Sequence, residues 1–329
     1  ATYGHTSVIN YLCKELNELG YRTAIGAFSF DSQPPFGIDI VKLDKKKLLT
    51  NGVSSLDFDI IHPHQARVLY YLLSKKPNKP IIFHYHGASS RVQELNFKLS
   101  MWRYKNKISK IISVSNSGIN QMKKMLKKNI SAEVVYNGVD TKIFNTKLDT
   151  PYKKGIPQLL FVSGLRKYKK VEILINSIPS LVKKFPNIHL QIVGEGETFD
   201  ALKNMIQEKN IEEHVELLGK KEHGDLKFYY SSCDIYISAS TFEVCPVPTI
   251  EAMACGKPLL LFDIEPHVEI INASKAGKIF STTNPDEITK LVSDILQNRD
   301  ILEQNARKFG ERHDWSSIAK QLSLIYEEF

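Results

Sequence analysis

The chain contains few cysteines, and their spacing matches neither a metal site nor a disulfide framework. Only four of the 329 residues are cysteine, and no two of them form a Cys-x-x-Cys pair. Because they are scattered among apolar neighbours, we interpret them as reduced core residues of a cytosolic protein. This excludes the small disulfide-rich and zinc-ribbon classes. The four residues are Cys13, Cys233, Cys245 and Cys255.

Long apolar runs are also missing. No run approaches the roughly 20 residues that a membrane-spanning helix needs, and no signal peptide is visible. Ala1 is not a natural start, so a leader lost from the front stays open as an alternative. The expected location is therefore the cytoplasm, and a peripheral position on the inner face of the membrane stays open.

The net charge is unevenly distributed along the chain. The total is +8, but residues 1–150 carry +11 and the remainder carries −3. Such an asymmetry points to an anionic partner for the first half, such as acidic lipid, nucleic acid or a phosphorylated acceptor. A solvated basic surface without a partner is the alternative.

The length and the alternation of apolar and polar segments predict two α/β domains in series. We assign residues 1–150 to the first domain and 151–312 to the second, with Asn145–Pro157 as a polar linker. A last helix over 313–329 is expected to pack back toward the first domain. Ligands of doubly wound domains bind at the carboxyl ends of the strands, here in a cleft between the domains. Strands are predicted at 23–28, 59–62, 80–84, 110–115, 133–136, 159–163, 189–193, 215–218, 234–237 and 258–262.

The opening residues depart from this plan. A doubly wound domain normally begins with a strand, a glycine loop and a helix, whereas this chain begins in the loop itself, Tyr3-Gly4-His5-Thr6. We therefore expect either a fragment or a numbering that starts after the first, central strand.

Two carboxylates mark a candidate ligand site. Glu243 and Glu251 lie eight positions apart, after the β-rich run 234–238 and at the start of the helical segment Glu251-Ala-Met-Ala. A carboxylate at a helix start is favoured by unpaired N–H groups and the helix dipole. Two acceptors facing one crevice suit a ligand rich in hydroxyls, such as a sugar nucleotide. The alternative is a helix-capping glutamate and a solvated loop glutamate.

This Glu-x7-Glu pattern, with its flanking Ala-Met-Ala-x-Gly-x-Pro, resembles glycosyltransferase family 4. The similarity extends to Asn137-Gly-Val-Asp140 with Phe144, to residues 161–170 and to residues 192–196. The resemblance implies the GT-B fold, an α/β plan of two Rossmann-like doubly wound domains facing a cleft. It also implies retaining transfer of a hexose-type sugar from a nucleotide-diphosphate donor to an acceptor hydroxyl, with no cofactor and no metal.

On this resemblance, Arg166 and Lys169 neutralise the donor diphosphate, where fixed cations stabilise developing negative charge. The alternative is a solvated basic loop formed by these residues and their neighbours. The family commonly has arginine one step after the glycine of the preceding strand, and here Gly164 occupies that place. Arg166 would then substitute from two residues further on.

His86, in Phe83-His-Tyr-His-Gly87, corresponds to a family histidine beside the donor sugar. Its expected contribution is a hydrogen bond or main-chain contact, and the alternative is a structural histidine at a strand end. The pair His62-Pro-His64 has no third ligand at recognisable spacing, so metal binding there is not expected.

Further donor contacts are expected from glycines and from the segment between the glutamates. Gly4 would let the backbone approach phosphates at a helix N-terminus, and the Gly194 turn would border the donor. Pro246 stands near the first glutamate where the family often has glycine, and it has no N–H to donate. Val247, Pro248 and Thr249 would shape the pocket, with the N–H groups of Val247 and Thr249 as possible donors.

The resemblance implies a front-face route in which the leaving phosphate helps to deprotonate the acceptor. Glu243 would orient the sugar hydroxyls and Glu251 would bind the nucleotide ribose. The acceptor is expected to be a glycan or a lipid-linked molecule, since residues 91–107 mix aromatic and basic side chains suited to an anionic membrane surface. Core aromatics with a solvated basic face are the alternative there. Two rival functions stay open. One is a sugar-nucleotide 2-epimerase, and the other is a nucleic-acid-binding protein, for which the sequence contains no recognition motif.

Overall fold

The computed structural model describes residues 3–329, and of residues 3–5 it gives only their place in the first helix. The chain forms two compact units, each described here by itself. Unit 1 comprises the chain up to Gly138 together with Trp315–Phe329, and unit 2 comprises Val139–Asp314.

Unit 1 contains two parallel sheets with helices between their strands. The first sheet pairs β1 with β2, and the second has the order β3-β4-β5. The elements are α1 (Tyr3–Glu18), β1 (Ala24–Ala27), β2 (Asp39–Lys42), α2 (Lys45–Asn51), α3 (Leu69–Leu72), β3 (Ile82–Tyr85), α4 (Arg91–Tyr104), β4 (Lys110–Ser113), α5 (Asn116–Leu126) and β5 (Glu133–Val134).

Unit 2 contains one parallel sheet of six strands in the order β11-β10-β9-β6-β7-β8. Its elements are β6 (Gln158–Val162), α6 (Val171–Lys184), β7 (His189–Val193), α7 (Phe199–Glu208), β8 (Val215–Leu217), α8 (Leu226–Ser232), β9 (Ile235–Ser238), α9 (Val247–Ala254), β10 (Leu259–Phe262), α10 (Glu265–Ser274), β11 (Gly277–Phe280), α11 (Pro285–Gln297) and α12 (Arg299–Arg312). The chain then returns to unit 1 as α13 (Trp315–Tyr326).

The strand order of unit 2 fixes where a ligand can bind. From β6 the chain winds outward through β7 to β8, and it then comes back to place β9 on the other side of β6. The order therefore reverses between β6 and β9. Open parallel sheets bind ligands beyond the carboxyl ends of the strands at this switch point.

The central strands of unit 2 are apolar because both faces are covered. Every residue of β6 and of β7 is buried, as expected for strands with helices on both sides. Leu159 and Ile192 belong to the core cluster against one set of helices, and Leu160 and Val193 to the cluster against the other. The strands thus form a rigid platform for the loops that follow them.

The segment 145–157, interpreted from the sequence as a linker, packs on unit 2. Tyr152 stacks on Tyr229 with ring centroids 4.3 Å apart, and its N–H donates to the hydroxyl of Ser232 at 3.1 Å. Lys153 forms an ion pair with buried Asp234. The chain passes between the units at Gly138/Val139 and at Asp314/Trp315. Within unit 2, the N–H of Val139 donates to the carbonyl oxygen of His313 at 2.9 Å, so the two crossing points are neighbours.

The last helix, α13, packs within unit 1. Trp315 stacks on Tyr11 of α1 with centroids 5.7 Å apart and planes 3° from parallel. Gln321 donates to the carbonyl of Val134 at 2.9 Å. The C-terminal segment is therefore part of the core of unit 1.

Candidate functional site

Two loops of unit 2 meet at the switch point of the sheet. Lys169 ends the short 3-10 turn Lys167–Lys169 in the loop after β6, and Glu243 lies in the loop after β9. The ammonium of Lys169 donates to Oε1 of Glu243 at 2.5 Å. The two side chains are 10% and 16% exposed, so the ion pair is largely shielded from water. The structure thus brings together two of the side chains that the sequence predicted for the site.

The backbone around this pair explains why the two loops meet. Both the N–H and the hydroxyl of Thr241 donate to the carbonyl of Tyr168, at 2.8 and 3.0 Å. The rings of Tyr168 and Phe242 then pack edge to face, 5.8 Å apart. These contacts join the loop after β6 to the loop after β9 just before the charged side chains, since Tyr168 precedes Lys169 and the pair Thr241-Phe242 precedes Glu243.

His267, in α10, is a site residue that the sequence analysis did not select. Its side chain is fully buried, and its Nδ1 bonds the carbonyl of Phe262 at 2.8 Å. Its Nε2 has no hydrogen-bond partner in the described part of the chain. Burial lowers the pKa of His267, and the charges of Glu243 and Lys169 act on the ring in opposite directions. The imidazole is therefore neutral and lies within the electrostatic reach of the ion pair.

Glu251 lies in the middle of α9 with only 3% of its surface exposed. Its Oε2 accepts a hydrogen bond from the hydroxyl of Tyr230 at 2.8 Å, and its Oε1 pairs with Nε2 of His223 at 2.7 Å. Each carboxylate oxygen can accept a second hydrogen bond, so these contacts orient Glu251 and leave acceptor capacity for a ligand hydroxyl. Nothing in the sequence spacing pointed to His223 or Tyr230 as its partners.

The charges of Glu243 and Glu251 both affect the pKa of one buried side chain, Tyr236. Burial raises the pKa of Tyr236 well above its ordinary value, and the charges of Glu243 and Glu251 raise it further. The predicted pair of carboxylates therefore shares one neighbourhood.

The first segment of unit 2, which contains Asp140 and Phe144, acts on the side chain of His223. Phe144 lies 5.4 Å from the His223 ring, centroid to centroid, and the charge of Asp140 adds to the field at the imidazole. Burial alone would lower the pKa of His223, but the hydrogen bond to Glu251 and the two negative charges outweigh it and raise the pKa. The Asn-Gly-Val-Asp…Phe element thus supports the Glu251 pair.

This shift predicts a pH-dependent stability. Because the pKa of His223 is higher in the folded than in the unfolded chain, the pair stabilises the fold fully below pH 6.5 and loses part of that effect as pH rises through the folded-state pKa. We expect His223→Gln to lower the melting temperature more at pH 6 than at pH 9. Melting curves of both proteins across this range check it, and an equal difference at every pH would contradict the assigned pair.

The glycine turn after β7 packs against the loop after β6. A Cβ on Gly194 would lie 1.8 Å from the carbonyl oxygen of Ser163, and Gly194 has φ +146°, a conformation that favours glycine. The N–H of Leu165 donates to the carbonyl of Glu195 at 2.8 Å. Gly194 therefore positions the loop after β6, whereas Gly164, in that loop, is exposed.

Arg166 follows Gly164 by two residues and precedes the 3-10 turn that carries Lys169. The residue is exposed, and its guanidinium makes no hydrogen bond or ion pair within the described chain. Arg166 thus offers a cation on the same loop as Lys169.

In the first turn of α9, fewer backbone N–H groups are available to a ligand than the sequence indicated. The N–H of Thr249 donates to the carbonyl of Pro246 at 3.0 Å, so the expectation of this group as a donor was wrong. Pro248 has no N–H. The N–H of Val247, at the first helical position, finds no acceptor among the described residues. Only Val247 of these three can therefore present a backbone donor.

In unit 1, His86 follows β3 directly and is half-buried. Its Nε2 lies 2.8 Å from Nδ1 of His64. His62 and His84 complete a stacked group, and one ring nitrogen from each of His62, His64 and His84 lies within 4.8 Å of the others. The sequence spacing showed no third ligand for the His62-Pro-His64 pair, whereas in the structure His84, remote in sequence, is adjacent to it.

Gly4 falls in the first turn of α1, and its contacts lie outside the described residues. In the part of the chain that is described, no helix is long and apolar enough to cross a bilayer.

Comparison with solved structures defines the class of fold. HepE from Anabaena, solved with UDP, superposes with a TM-score of 0.83 over 99% of this chain and 96% of that chain, at 17% sequence identity. A structure of the same protein with UDP-glucose gives a TM-score of 0.80. Together with the parallel sheets of both units, this similarity shows the GT-B fold of two Rossmann-like units.

Sequence comparison identifies the family. The profile described as "Glycosyl transferases group 1" matches residues 145–315, and that described as "Glycosyltransferase Family 4" matches residues 3–143. The chain belongs to the group 1, family 4 glycosyltransferases and is a glycosyltransferase, as the motifs around Glu243 and Glu251 indicated.

Two curated relatives show how far the similarity extends. An uncharacterized glycosyltransferase of Methanocaldococcus jannaschii is 27% identical over 290 residues, covering 86% of this chain and 79% of the relative. The phosphatidyl-myo-inositol mannosyltransferase of Mycobacterium tuberculosis is 27% identical over 297 residues, covering 86% and 76%.

Proposed function

We propose that this protein transfers a hexose-type sugar from a nucleoside-diphosphate sugar to an acceptor hydroxyl with retention at the anomeric carbon. The observation that carries the proposal is the shielded Lys169–Glu243 pair at the switch point of unit 2. A cation and a carboxylate held side by side match the two ends of such a donor, its diphosphate and its sugar hydroxyls. The solved structures of HepE with UDP and UDP-glucose support a donor of this class.

In the proposed reaction, Lys169 and Arg166 hold the diphosphate and stabilise the negative charge that grows on it as the sugar leaves. Lys169 is already fixed, so little reorganisation is needed at the moment of reaction. Arg166, exposed on the same loop, can close onto phosphate oxygens with two parallel hydrogen bonds. With two cations on the diphosphate, no divalent metal or other cofactor is required.

Glu243 is proposed to accept hydrogen bonds from the sugar hydroxyls. The hydrogen bond from Lys169 to Oε1 supports an orienting role for Glu243, and we do not assign it as a nucleophile. The bond between the anomeric carbon and the bridging oxygen of the diphosphate breaks, and the bond between that carbon and the acceptor oxygen forms on the same face. The acceptor proton passes to the departing diphosphate.

Glu251 is proposed to bind the nucleotide ribose with the lone pairs that His223 and Tyr230 leave unused. Buried carboxylates are costly unless they are paired or hydrogen-bonded, and these two partners keep Glu251 oriented before the donor arrives. Val247 would add its N–H, while Pro248 and Thr249 would shape the pocket wall, as would Gly164 and Gly194. The roles predicted for His86 and Gly4 stay predictions.

The experiment that tests this function supplies radiolabelled nucleotide sugars, UDP-glucose and GDP-mannose among them, together with a membrane extract. The reactions contain a chelator. We expect label to move from one donor into a lipid or glycan product with the α or β configuration of the donor retained. Label recovered in an epimerised nucleotide sugar would favour the 2-epimerase, and label that stays in the unchanged donor throughout the panel would contradict the proposal.

We further propose that the acceptor is lipid-linked and that unit 1 binds to an anionic membrane surface, at the cytoplasmic face, through α4. Val92, Leu95, Leu99 and Trp102 are spaced along one face of this helix, and all are exposed. Trp102 is 81% exposed and Val92 is 69% exposed. Contiguous exposed apolar side chains of this kind mark interaction surfaces.

The opposite face of α4 accounts for its stability without a membrane. Phe97, Met101 and Tyr104 are buried in the core of unit 1. The helix is therefore apolar on two faces, of which only one is needed for folding.

Charge selects the partner of the exposed face. At 100° per residue, Arg91 and Lys98 fall along one edge of the apolar stripe and Arg103 along the other, and all three are exposed. Basic side chains beside a membrane-facing stripe each contribute about 1 kcal/mol with anionic lipid. The relative named phosphatidyl-myo-inositol mannosyltransferase has a lipid in its name, which agrees with this proposal.

A further inference from the structure

Four histidines of unit 1 lie on one side of two paired extended segments. The N–H of Ile82 donates to the carbonyl of Ile61 at 3.0 Å, and the N–H of His84 donates to the carbonyl of Pro63 at 3.0 Å. Residues 61–63 therefore run alongside β3. Side chains alternate along an extended backbone. His64 therefore lies on the same side as His62, and His86 lies on the same side as His84. His62 and His64 consequently face His84 and His86, with the His62 and His84 rings 5.3 Å apart.

The polar atoms in this cluster are incompletely satisfied by the protein. His84 is 1% exposed, and neither of its ring nitrogens makes a hydrogen bond of ordinary geometry among the described residues, although the backbone of Val135 approaches it. The Nε2 of His62 is buried without a partner as well. Each unmade hydrogen bond of this kind destabilises the fold. A ligand that accepts an electron pair from one nitrogen of each ring would reduce this deficit.

Hydrogen bonds at the second ring nitrogen orient two of the histidines, His62 and His64. The hydroxyl of Tyr326, in α13, lies 2.6 Å from Nδ1 of His62, which keeps the opposite nitrogen directed at the cluster. The Nδ1 of His64 pairs with Nε2 of His86 at 2.8 Å. Metal-binding histidines typically make such a contact through their second nitrogen, because it fixes both the tautomer and the orientation of the ring.

We propose that His62, His64 and His84 bind one divalent transition-metal ion of the zinc class. Their ligand nitrogens lie within 4.8 Å of one another. An ion at the centre of a triangle of that size is roughly 2.8 Å from each corner, so each nitrogen needs to move inward by about 0.7 Å to reach the usual Zn–N distance of about 2.0–2.1 Å. Small ring rotations supply this movement.

The ligand set selects the metal. Three imidazoles suit Zn²⁺, Co²⁺, Ni²⁺ or Cu²⁺, whereas Mg²⁺ and Ca²⁺ prefer oxygen ligands. Three protein ligands leave a fourth position for water or an anion. The site joins the segment 61–64 to β3, and through Tyr326 it is coupled to α13. It takes part in no step of the sugar transfer proposed above.

The test is equilibrium binding of Zn²⁺ and of Co²⁺ to the full chain purified without a histidine tag and stripped with chelator. We expect one equivalent of Zn²⁺ per chain, a rise in melting temperature when it binds, and the intense visible absorption of four-coordinate Co²⁺. His62→Asn removes one ligand and is expected to weaken binding by more than about 100-fold, since loss of a supporting contact alone weakens such sites by about 10–100-fold.

Two further variants keep the result interpretable. Tyr326→Phe retains the ring and removes only the hydroxyl at His62, so binding should weaken by about 10-fold or more. His214→Asn, in unit 2, removes a half-buried histidine that bonds the carbonyl of Ile188 at 3.0 Å and should leave the affinity unchanged. The proposal is overturned if the wild-type chain takes up no stoichiometric metal, or if His62→Asn binds as tightly as His214→Asn. Because the readout is metal binding, neither outcome bears on the proposed transfer.

Discussion

Replacement of Lys169 by methionine is expected to lower kcat for sugar transfer by about 10²–10³-fold, the usual effect of removing one fixed group that stabilises developing negative charge. The ammonium is shielded, held by Glu243 and placed at the switch point of the unit 2 sheet. A water molecule taking its place would be neither charged nor fixed. Steady-state rates with the donor and acceptor found in the extract assay measure the effect.

Stability has to be separated from chemistry in this variant, because it leaves Glu243 without its partner. Removing one member of a fully buried ion pair destabilises a protein by about 3–5 kcal/mol, and the residual exposure of this pair reduces that figure. The double variant Lys169→Met, Glu243→Gln removes both charges, so we expect it to recover thermal stability but not activity. Lys203→Met, an exposed lysine of α7, is the matched control and should retain wild-type rates. A double variant that regains activity would show that the pair is only structural.

The second large effect is expected in membrane binding. The double variant Leu99→Ser, Trp102→Ser removes two apolar side chains from the exposed face of α4. Fully burying one large apolar side chain contributes about 1.5–3 kcal/mol, and a factor of ten in affinity corresponds to about 1.4 kcal/mol. We therefore expect binding to vesicles of mixed neutral and anionic lipid to weaken by about 10-fold or more, measured by co-sedimentation.

Controls assign the effect to this face and to its charges. Leu324→Ser replaces another exposed leucine of unit 1, in α13, and should leave vesicle binding unchanged. Arg91→Gln with Lys98→Gln should weaken binding and reduce its dependence on salt, since screening acts on the charges and not on the apolar contact. Vesicle binding that is absent in the wild type, or equal in all variants, would contradict the membrane proposal. A concentration-dependent dimer lost in Leu99→Ser, Trp102→Ser would assign the stripe to a second copy of the chain.

Much of the fold could be predicted because buried parallel strands have a strong local signature. The prediction for 189–193 coincides with β7, and that for 258–262 differs from β10 by one residue. The predicted strand at 59–62 is reduced to a single bridge between Ile61 and Ile81. The strand β11 was not predicted, because it has only two large apolar side chains, Ile279 and Phe280, and its half-exposed edge position gives a weak apolar signal. Edge strands bury only part of their surface, so their composition constrains them less.

The candidate site was predictable only where the sequence motif carries its residues. Lys169 and Glu243 lie in loops after strands, and the fold brings those loops together, as a doubly wound sheet requires. His223, Tyr230 and His267 have no characteristic spacing from these residues. Their roles depend on tertiary contacts, such as the pairing of His223 with Glu251. The histidine cluster did carry a signal, since His-x-His occurs twice, but recognising it needs the pairing of two segments about 20 residues apart.

Calorimetric titration of UDP, GDP and ADP, each in turn and in the presence of chelator, tests the central claim most directly. If unit 2 binds a nucleoside-diphosphate sugar through Lys169, one of these nucleotides binds the wild-type chain. The same nucleotide then binds Lys169→Met at least about 10-fold more weakly, a difference of about 1.4 kcal/mol, while Lys203→Met behaves as wild type. Failure of all three nucleotides to bind, or equal affinity in the two variants, would contradict the account.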